Sequence, residues 1–357
     1  LKKTFLPAGI IFLLIFETVS AEHFIDRMAS TAESQLPNPV TDLNSTNSGL
    51  NVGYSMTRLT NTRPAPAGDA LPNVTATAAI VIEATTGQII YSRNADQKMF
   101  PASTTKVMTL ILGLEQGKLD DIVTVGQNAF GVEGSSLYLE VNDKMPFGEL
   151  LEGMILLSGN DAATAVAEHV AGNVPNFAAQ MNKRAKELGC TNTNFTNPHG
   201  LPDVNHYTTA HDLALIAAHG YSLDKFEQIV SLREKNYSWL HGDDKRLESE
   251  NQMLKLYRGG NGVKTGYTQA AGRCLISGAK RGNIQLVAVV LDSLFMWQDS
   301  VALLDYGFAN VKPLPTKKVE VVPEPAPEKV VESDNKQKSF FRMVLNWLKK
   351  FFGFQTD

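Results

Sequence analysis

Strand-forming runs stand at both ends of the patterned part of this chain, with helix-forming runs between them. Thr77 to Glu83 (TAAIVIE) reads as a strand and Gln88 to Ser92 as a second, with Thr85-Thr86-Gly87 as the tight turn between them. Near the other end, Lys264 opens a stretch rich in strand formers. Arg273 to Gly278 and Gln285 to Leu291 read as further strands. In between, Val107, Leu110, Ile111 and Leu114 recur at helical spacing, with Gly117 as the stop. Leu150 to Val170 holds two more apolar helical runs. Strands at the ends and helices in the middle predict an α+β fold, a sheet flanked by helices.

Composition marks where that fold begins and ends. Residues 22–74 are rich in Ser, Thr, Asn and Pro without a sustained period, and read as a linker that cannot offset its chain entropy by burial. Residues 315–338 form a second spacer of Pro, Glu and Lys. The span 75–314 between them is the size of one domain. At the start, Lys2 and Lys3 precede an apolar run from Phe5 to Phe16, and Val19-Ser20-Ala21 offers small residues for cleavage. Residues 1–21 therefore read as a secretory signal, with an uncleaved anchor as the alternative, and either predicts export. The run falls short of the roughly 20 apolar residues of a membrane span.

The last segment, 339–357, has a different character. On a helical wheel from Phe340 to Phe354, Arg342, Asn346, Lys349 and Lys350 share one arc and the apolar side chains the other. A basic, aromatic-rich helix of this kind is expected to lie in the interface of the cytoplasmic membrane, on its outer face, through residues 339–354. The other reading docks it on the protein's own core; the spacer before it favours the membrane.

A net charge of -4, with no strongly basic domain, argues against a nucleic-acid partner. Cys190 and Cys274 are too few for a disulfide framework and read as buried free thiols. His206 and His211 lie five apart, outside the i, i+4 pattern of a helical metal site, so no metal and no cofactor is expected.

Three short motifs carry the chemistry: Ser103-Thr-Thr-Lys106, Ser158-Gly-Asn160 and Lys264-Thr265-Gly266. The first two patterns are individually weak. Ser-x-x-Lys recurs at Ser222/Lys225, Ser277/Lys280 and Ser333/Lys336, and Ser-x-Asn at Ser45/Asn47, Ser92/Asn94 and Ser333/Asn335, whereas Lys-Thr-Gly occurs once. Placement separates them from the decoys. With Pro101 as the first helical residue, Ser103 falls in the first turn, where backbone N–H groups lack intrahelical acceptors and the helix dipole favours an anion. Lys106, three residues on, shares the face of Ser103. Ser158 and Asn160 fall in a break between two helices, and Asp161 suits the first turn of the second. Gly266 within a strand suggests the close approach of another backbone. An edge strand there could pair with an extended peptide.

Taken together, the chain resembles the serine-type D-alanyl-D-alanine carboxypeptidases, the low-molecular-mass penicillin-binding proteins. The likeness runs from about residue 75 to 313. It includes Ala84-Thr-Thr-Gly-Gln88, Phe100-Pro-Ala-Ser-Thr-Thr-Lys106, Glu133-Gly-Ser-Ser-Leu137 and Leu157-Ser-Gly-Asn-Asp-Ala162. Asn197-Pro-His-Gly-Leu-Pro202, Lys264-Thr-Gly-Tyr-Thr268 and Leu304-Asp-Tyr-Gly-Phe308 complete it. The resemblance implies a β-lactamase/transpeptidase-like fold, with an antiparallel sheet flanked by helices and a helical subdomain. It implies Ser103 as nucleophile, Lys106 as general base and Ser158 as proton relay. Asn160, Lys264, Thr265 and Gly266 would bind substrate, and the backbone amides of Ser103 and Tyr267 would form the oxyanion hole. The implied substrate is the peptidoglycan stem peptide, with β-lactam antibiotics as covalent inhibitors.

Two departures stand out. Many relatives carry a β-rich domain before the terminal anchor, where this chain has only a short spacer. Many also carry an arginine before the final Leu-Asp-Tyr-Gly-Phe; the stretch here is Phe295-Met-Trp-Gln-Asp-Ser300. The alternatives are a D,D-endopeptidase, a class A-like β-lactamase, and a catalytically silent, membrane-tethered cell-wall binding protein. For His199 and His206 the expectation is structural hydrogen bonding.

Overall fold

In a computed structural model of the chain, residues 71–238, 244–312 and 334–352 are described. The expected signal segment, nearly all of the first linker and residues 315–333 of the spacer lie outside them.

Five antiparallel strands form the main sheet. They are β1 (Ala78–Glu83), β2 (Ile89–Arg93), β7 (Gly260–Thr268), β8 (Gly272–Arg281) and β9 (Ile284–Leu291), in the order β2-β1-β9-β8-β7. The two ends of the domain therefore meet mid-sheet, where Ala78 pairs with Leu291 and Glu83 with Leu286. β1 is buried on both faces, which is why it reads as a continuous apolar run. Ile80 and Ile82 join the larger core under the helices, while Ala79 and Val81 join the smaller one. β9 alternates likewise, Val287 and Val289 against Leu286, Ala288 and Val290. Each such aliphatic side chain contributes roughly 1.5–3 kcal/mol on full burial.

Helix α8 (Met296–Asn310) covers the smaller core with Leu303 and Leu304. Its Asp299 carboxylate accepts from the Thr75 and Ala76 N–H groups and from the Ser293 hydroxyl, tying the start of the domain to its last helix.

The other face carries α1 (Lys106–Gln116), α2 (Phe147–Leu156), α3 (Asn160–Ala171), α4 (Val174–Glu187), α5 (Ala210–Gly220) and α6 (Phe226–Val230), whereas the short α7 (Met253–Leu256) adds Met253 to the smaller core. Two small strand pairs, β3 (Ile122–Thr124) with β4 (Lys144–Pro146) and β5 (Glu234–Tyr237) with β6 (Lys245–Glu248), complete this side. The spacing of α1 predicts a single apolar face, but every residue from Lys106 to Gly113 is buried. Such a helix is a core element, surrounded by others. Gly117 does end it, in an extended conformation, because a side chain there would run into Phe147.

The terminal helix α9 spans Asp334–Phe352, five residues earlier than the composition predicts, with Asp334 and Asn335 as helix-starting types ahead of Lys336-Gln337-Lys338. Phe340, Phe341, Met343, Leu345, Trp347 and Leu348 are exposed on it. No helix among the described residues is long and apolar enough to cross a membrane. The decoy pair Ser277 and Lys280 lies within β8, three apart and so on opposite faces.

Candidate active site

Pro101 leads into a 3-10 turn, Ala102–Thr105, tighter than the α-turn expected, and α1 continues from Lys106. The Thr104 N–H donates to the Pro101 carbonyl at 3.3 Å. Ala102, Thr104 and Thr105 are buried, whereas Ser103 is half-buried and open to the cleft.

Lys106 is buried and its Nζ reaches three oxygens: Ser103 Oγ at 3.1 Å, Asn160 Oδ1 at 2.6 Å and the His199 carbonyl at 2.9 Å. Burial, with the neighbouring Lys264 charge as the second cause, holds this ammonium well below the ordinary lysine range. The geometry then assigns the hydrogens. Asn160 Oδ1 and the His199 carbonyl can only accept, so each takes an N–H of Lys106, and the third position on Nζ faces the Ser103 hydroxyl. In the neutral amine that position is the lone pair.

Around this pair the partners are fixed in turn. Asn160 Nδ2 donates to the Glu133 carbonyl at 2.6 Å, which orients its Oδ1 toward Lys106 and leaves a second N–H free. The Asn160 backbone N–H donates to the Ser135 carbonyl at 2.7 Å. Asp161 does more than begin α3. Its carboxylate accepts from Ser136 Oγ at 2.6 Å and from the N–H groups of Leu137 at 3.0 Å and Leu139 at 3.1 Å. It thereby straps the 133–139 segment beside the cleft. Ser158 is buried in the break between α2 and α3, at φ +60. A left-handed serine is strained and persists where surrounding structure holds it. Among the described residues Ser158 makes no hydrogen bond to Ser103, Lys106 or Lys264.

The histidines behave as structural groups. The Thr196 N–H donates to His206 Nδ1 at 3.0 Å, so Nε2 carries the proton and bonds Thr105 Oγ1 at 2.9 Å. Burial lowers His206 to about 4. Burial, then the Lys106 and His206 charges, takes His199 to about 3. Both rings are neutral near pH 7. Cys190 and Cys274 are free and buried, and burial pushes each thiol up to about 12.

Across the cleft, β7 forms the sheet edge. Gly266 passes directly over the nucleophile's turn: a Cβ there would lie 2.9 Å from the Ser103 nitrogen and 3.1 Å from the Thr104 nitrogen. No larger residue fits. Among the described residues, buried Lys264 hydrogen-bonds only its neighbour, the Thr265 carbonyl at 3.2 Å and hydroxyl at 3.4 Å. Burial lowers it to about 8, against a raising effect from Glu250. Tyr267 follows with its ring exposed.

The structure thus joins Ser103, Lys106 and Asn160 by hydrogen bonds and lays Gly266 on the Ser103 amide, with Lys264 and Thr265 on the same strand. Sequence reasoning gave no role to the His199 carbonyl, the Glu133 carbonyl, Asp161 as a strap, or Glu250. Asp161, Glu133 and His199 had a signal, their places in the Leu157–Ala162, Glu133–Leu137 and Asn197–Pro202 segments; Glu250 had none.

The family profile of the D-alanyl-D-alanine carboxypeptidases, peptidase family S11, matches residues 63–294. The chain belongs to this family. D-alanyl-D-alanine carboxypeptidase DacF of Bacillus subtilis is 37% identical over 254 residues, covering 68% of this chain and 64% of the relative. The chain thus spans just under two-thirds of that relative's length. Penicillin-binding protein 5 from Haemophilus influenzae superposes with a TM-score of 0.63 at 36% identity, over 68% of this chain and 73% of that one. A D-alanyl-D-alanine carboxypeptidase from Mycobacterium tuberculosis gives a TM-score of 0.65 at 30% identity, over 71% and 97%. As a member of the S11 family, the chain has the β-lactamase/transpeptidase-like fold that its motifs implied.

Proposed function

We propose that this chain is a serine D-alanyl-D-alanine carboxypeptidase that removes the terminal D-Ala from peptidoglycan stem pentapeptides. One observation carries the reading: Lys106 Nζ lies 3.1 Å from Ser103 Oγ while its two other contacts are acceptors. A neutral amine so placed accepts the hydroxyl proton as Ser103 attacks the penultimate D-Ala carbonyl. The Ser103 and Tyr267 amides receive the oxyanion, consistent with the close passage of β7 over the turn. Ser158 passes the proton to the departing D-Ala amine. The free Asn160 N–H holds the substrate amide, and Lys264 and Thr265 grip the terminal carboxylate. The Gly266 backbone, on the edge strand, pairs with the peptide. Water then adds to the acyl-serine ester, releasing the shortened peptide and restoring the Ser103 hydroxyl. A β-lactam enters by the same attack.

The enzyme is placed outside the cytoplasm, on the outer face of the cytoplasmic membrane. Its exposed, aromatic and basic α9 suits an interfacial helix.

The test is covalent labelling by a fluorescent penicillin together with D-Ala release from a defined pentapeptide. Both should occur in the wild type and both should vanish in Ser103→Ala. Labelling that persists in the variant overturns the nucleophile. Turnover of penicillin at many per second, or activity confined to cross-linked dimers, overturns the carboxypeptidase reading.

A further inference from the structure

Glu250 brings a carboxylate to the place where the substrate's own carboxylate is expected. It lies in the turn between β6 and α7, and its neighbours fix that turn. The Ser249 N–H donates to the Arg233 carbonyl at 2.8 Å, and the Asn251 N–H donates to Ser249 Oγ at 3.2 Å. Buried Asn251 accepts from the Met253 N–H through Oδ1 at 3.1 Å. The backbone is thus held on both sides of Glu250 while its side chain stays exposed to solvent. That side chain reaches β7, where Thr265 Oγ1 donates to Glu250 Oε2 at 3.4 Å. Its charge also acts on both cleft lysines, opposing the effect of burial on Lys264 and on Lys106.

We propose that Glu250 is a placeholder anion of the carboxylate subsite, seated on Thr265 beside Lys264 and displaced when a substrate carboxylate docks. This rests on the assignment of Lys264 and Thr265 as the carboxylate grip. Two like charges cannot share one threonine hydroxyl and one ammonium without repulsion. Glu250 is therefore displaced, and giving up its attraction to Lys264, across about 4–5 Å of solvent, weakens binding roughly fivefold. Glu250 leaves readily, because its long side chain is exposed and its backbone need not move. The cleft therefore handicaps ligands with an anionic terminus, penicillins included, relative to neutral ligands of the same shape. The handicap on an anionic terminus falls on binding; the charge of Glu250 also raises Lys106, but that effect is common to charged and neutral ligands.

The test uses Glu250→Gln, which keeps shape and hydrogen bonding and removes charge, in the full chain at pH 6. There Lys264, at about 8, keeps its proton. Acylation of Ser103 is followed with a penicillin and with the methyl ester of the same penicillin, which lacks the negative charge. The rate of acyl-enzyme decay and the KM for a pentapeptide ending in D-Ala-D-Ala are measured alongside. Glu250→Gln should raise the acylation rate about fivefold more for the acid than for the ester, whose own change reports the altered Lys106 and is common to both. KM should fall by a similar factor, decay should not slow, and Glu250→Asp should behave like the wild type or fall between the two. Equal shifts for acid and ester, a smaller shift for the acid, or slower decay each overturn the placeholder role. The two readings fail separately: a wild type that releases no D-Ala contradicts the proposed function, whereas a working wild type with an indifferent Glu250→Gln contradicts only this inference.

Discussion

Lys106 enters the cleft from the helical side and Lys264 from the sheet edge; both are buried, yet their surroundings differ. Lys106 has three oxygen partners on three separate segments, all at 3.1 Å or less. Among the described residues, Lys264 hydrogen-bonds only the carbonyl and hydroxyl of its own neighbour, at 3.2 and 3.4 Å. One amine is locked by the protein and pushed toward its neutral form, while the other, at about 8, keeps its proton below that pH. The two charges also work on each other, since Lys264 is among the causes that lower Lys106. Under the proposed function the same residue type serves as base and as clamp, according to which side of the fold delivers it.

The contrast breaks most severely at Lys106. Lys106→Arg keeps a cation that cannot surrender its proton, so penicillin acylation should fall by roughly 10²–10⁴-fold with the fold intact by circular dichroism. Near-normal acylation would mean the base lies elsewhere. Lys264→Gln should act on binding instead, raising KM for the pentapeptide about 10- to 100-fold with a smaller change in kcat. It should also remove the alkaline limb. In the wild type, affinity holds below about pH 8, where Lys264 is charged, and falls above it. The two limbs of the pH profile belong to the coupled lysine pair. A limb unchanged in Lys264→Gln would separate that lysine from the profile.

The smallest effect sharpens what holds the helical side. His206 sits near 4 in the folded protein and about 6.5 when free, so its neutral form stabilises the fold above pH 6.5 and that stability drains away as pH falls toward 4. Equilibrium unfolding in urea should show a loss of about 1 kcal/mol between pH 7 and pH 5.5 from this residue. His206→Gln should remove that share of the slope; an equally steep slope in the variant would assign it to other groups.

Much of the cleft could be read from side chains alone. Ser103 and Lys106 gained their setting from Pro101, and the strand-forming composition around Lys264 put that motif on β7. The other halves of the contacts were illegible for a physical reason: the carbonyls of His199, Glu133 and Ser135 are backbone groups, and any residue supplies one. The 3-10 turn and the left-handed Ser158 were hidden too, because tertiary contact imposes them against local preference. Likewise the all-round burial of α1 depends on what surrounds it, and its spacing disclosed only one face. Glu250 was silent because it joins the site through a fold contact with Thr265, fifteen positions away in the chain.

The pairing of Ala78 with Leu291 also governs when a newly made chain can become an enzyme. During synthesis the serine and its lysine emerge long before β8 and β9, and β7 cannot take its place at the edge until those strands have joined the waiting β1–β2 hairpin. A sheet closed by its last strands is a high-contact-order arrangement that folds late and slowly. Under the proposed function the reactive hydroxyl therefore exists from early on without its carboxylate clamp or its covering strand, and competence arrives with nearly the last residues of the domain.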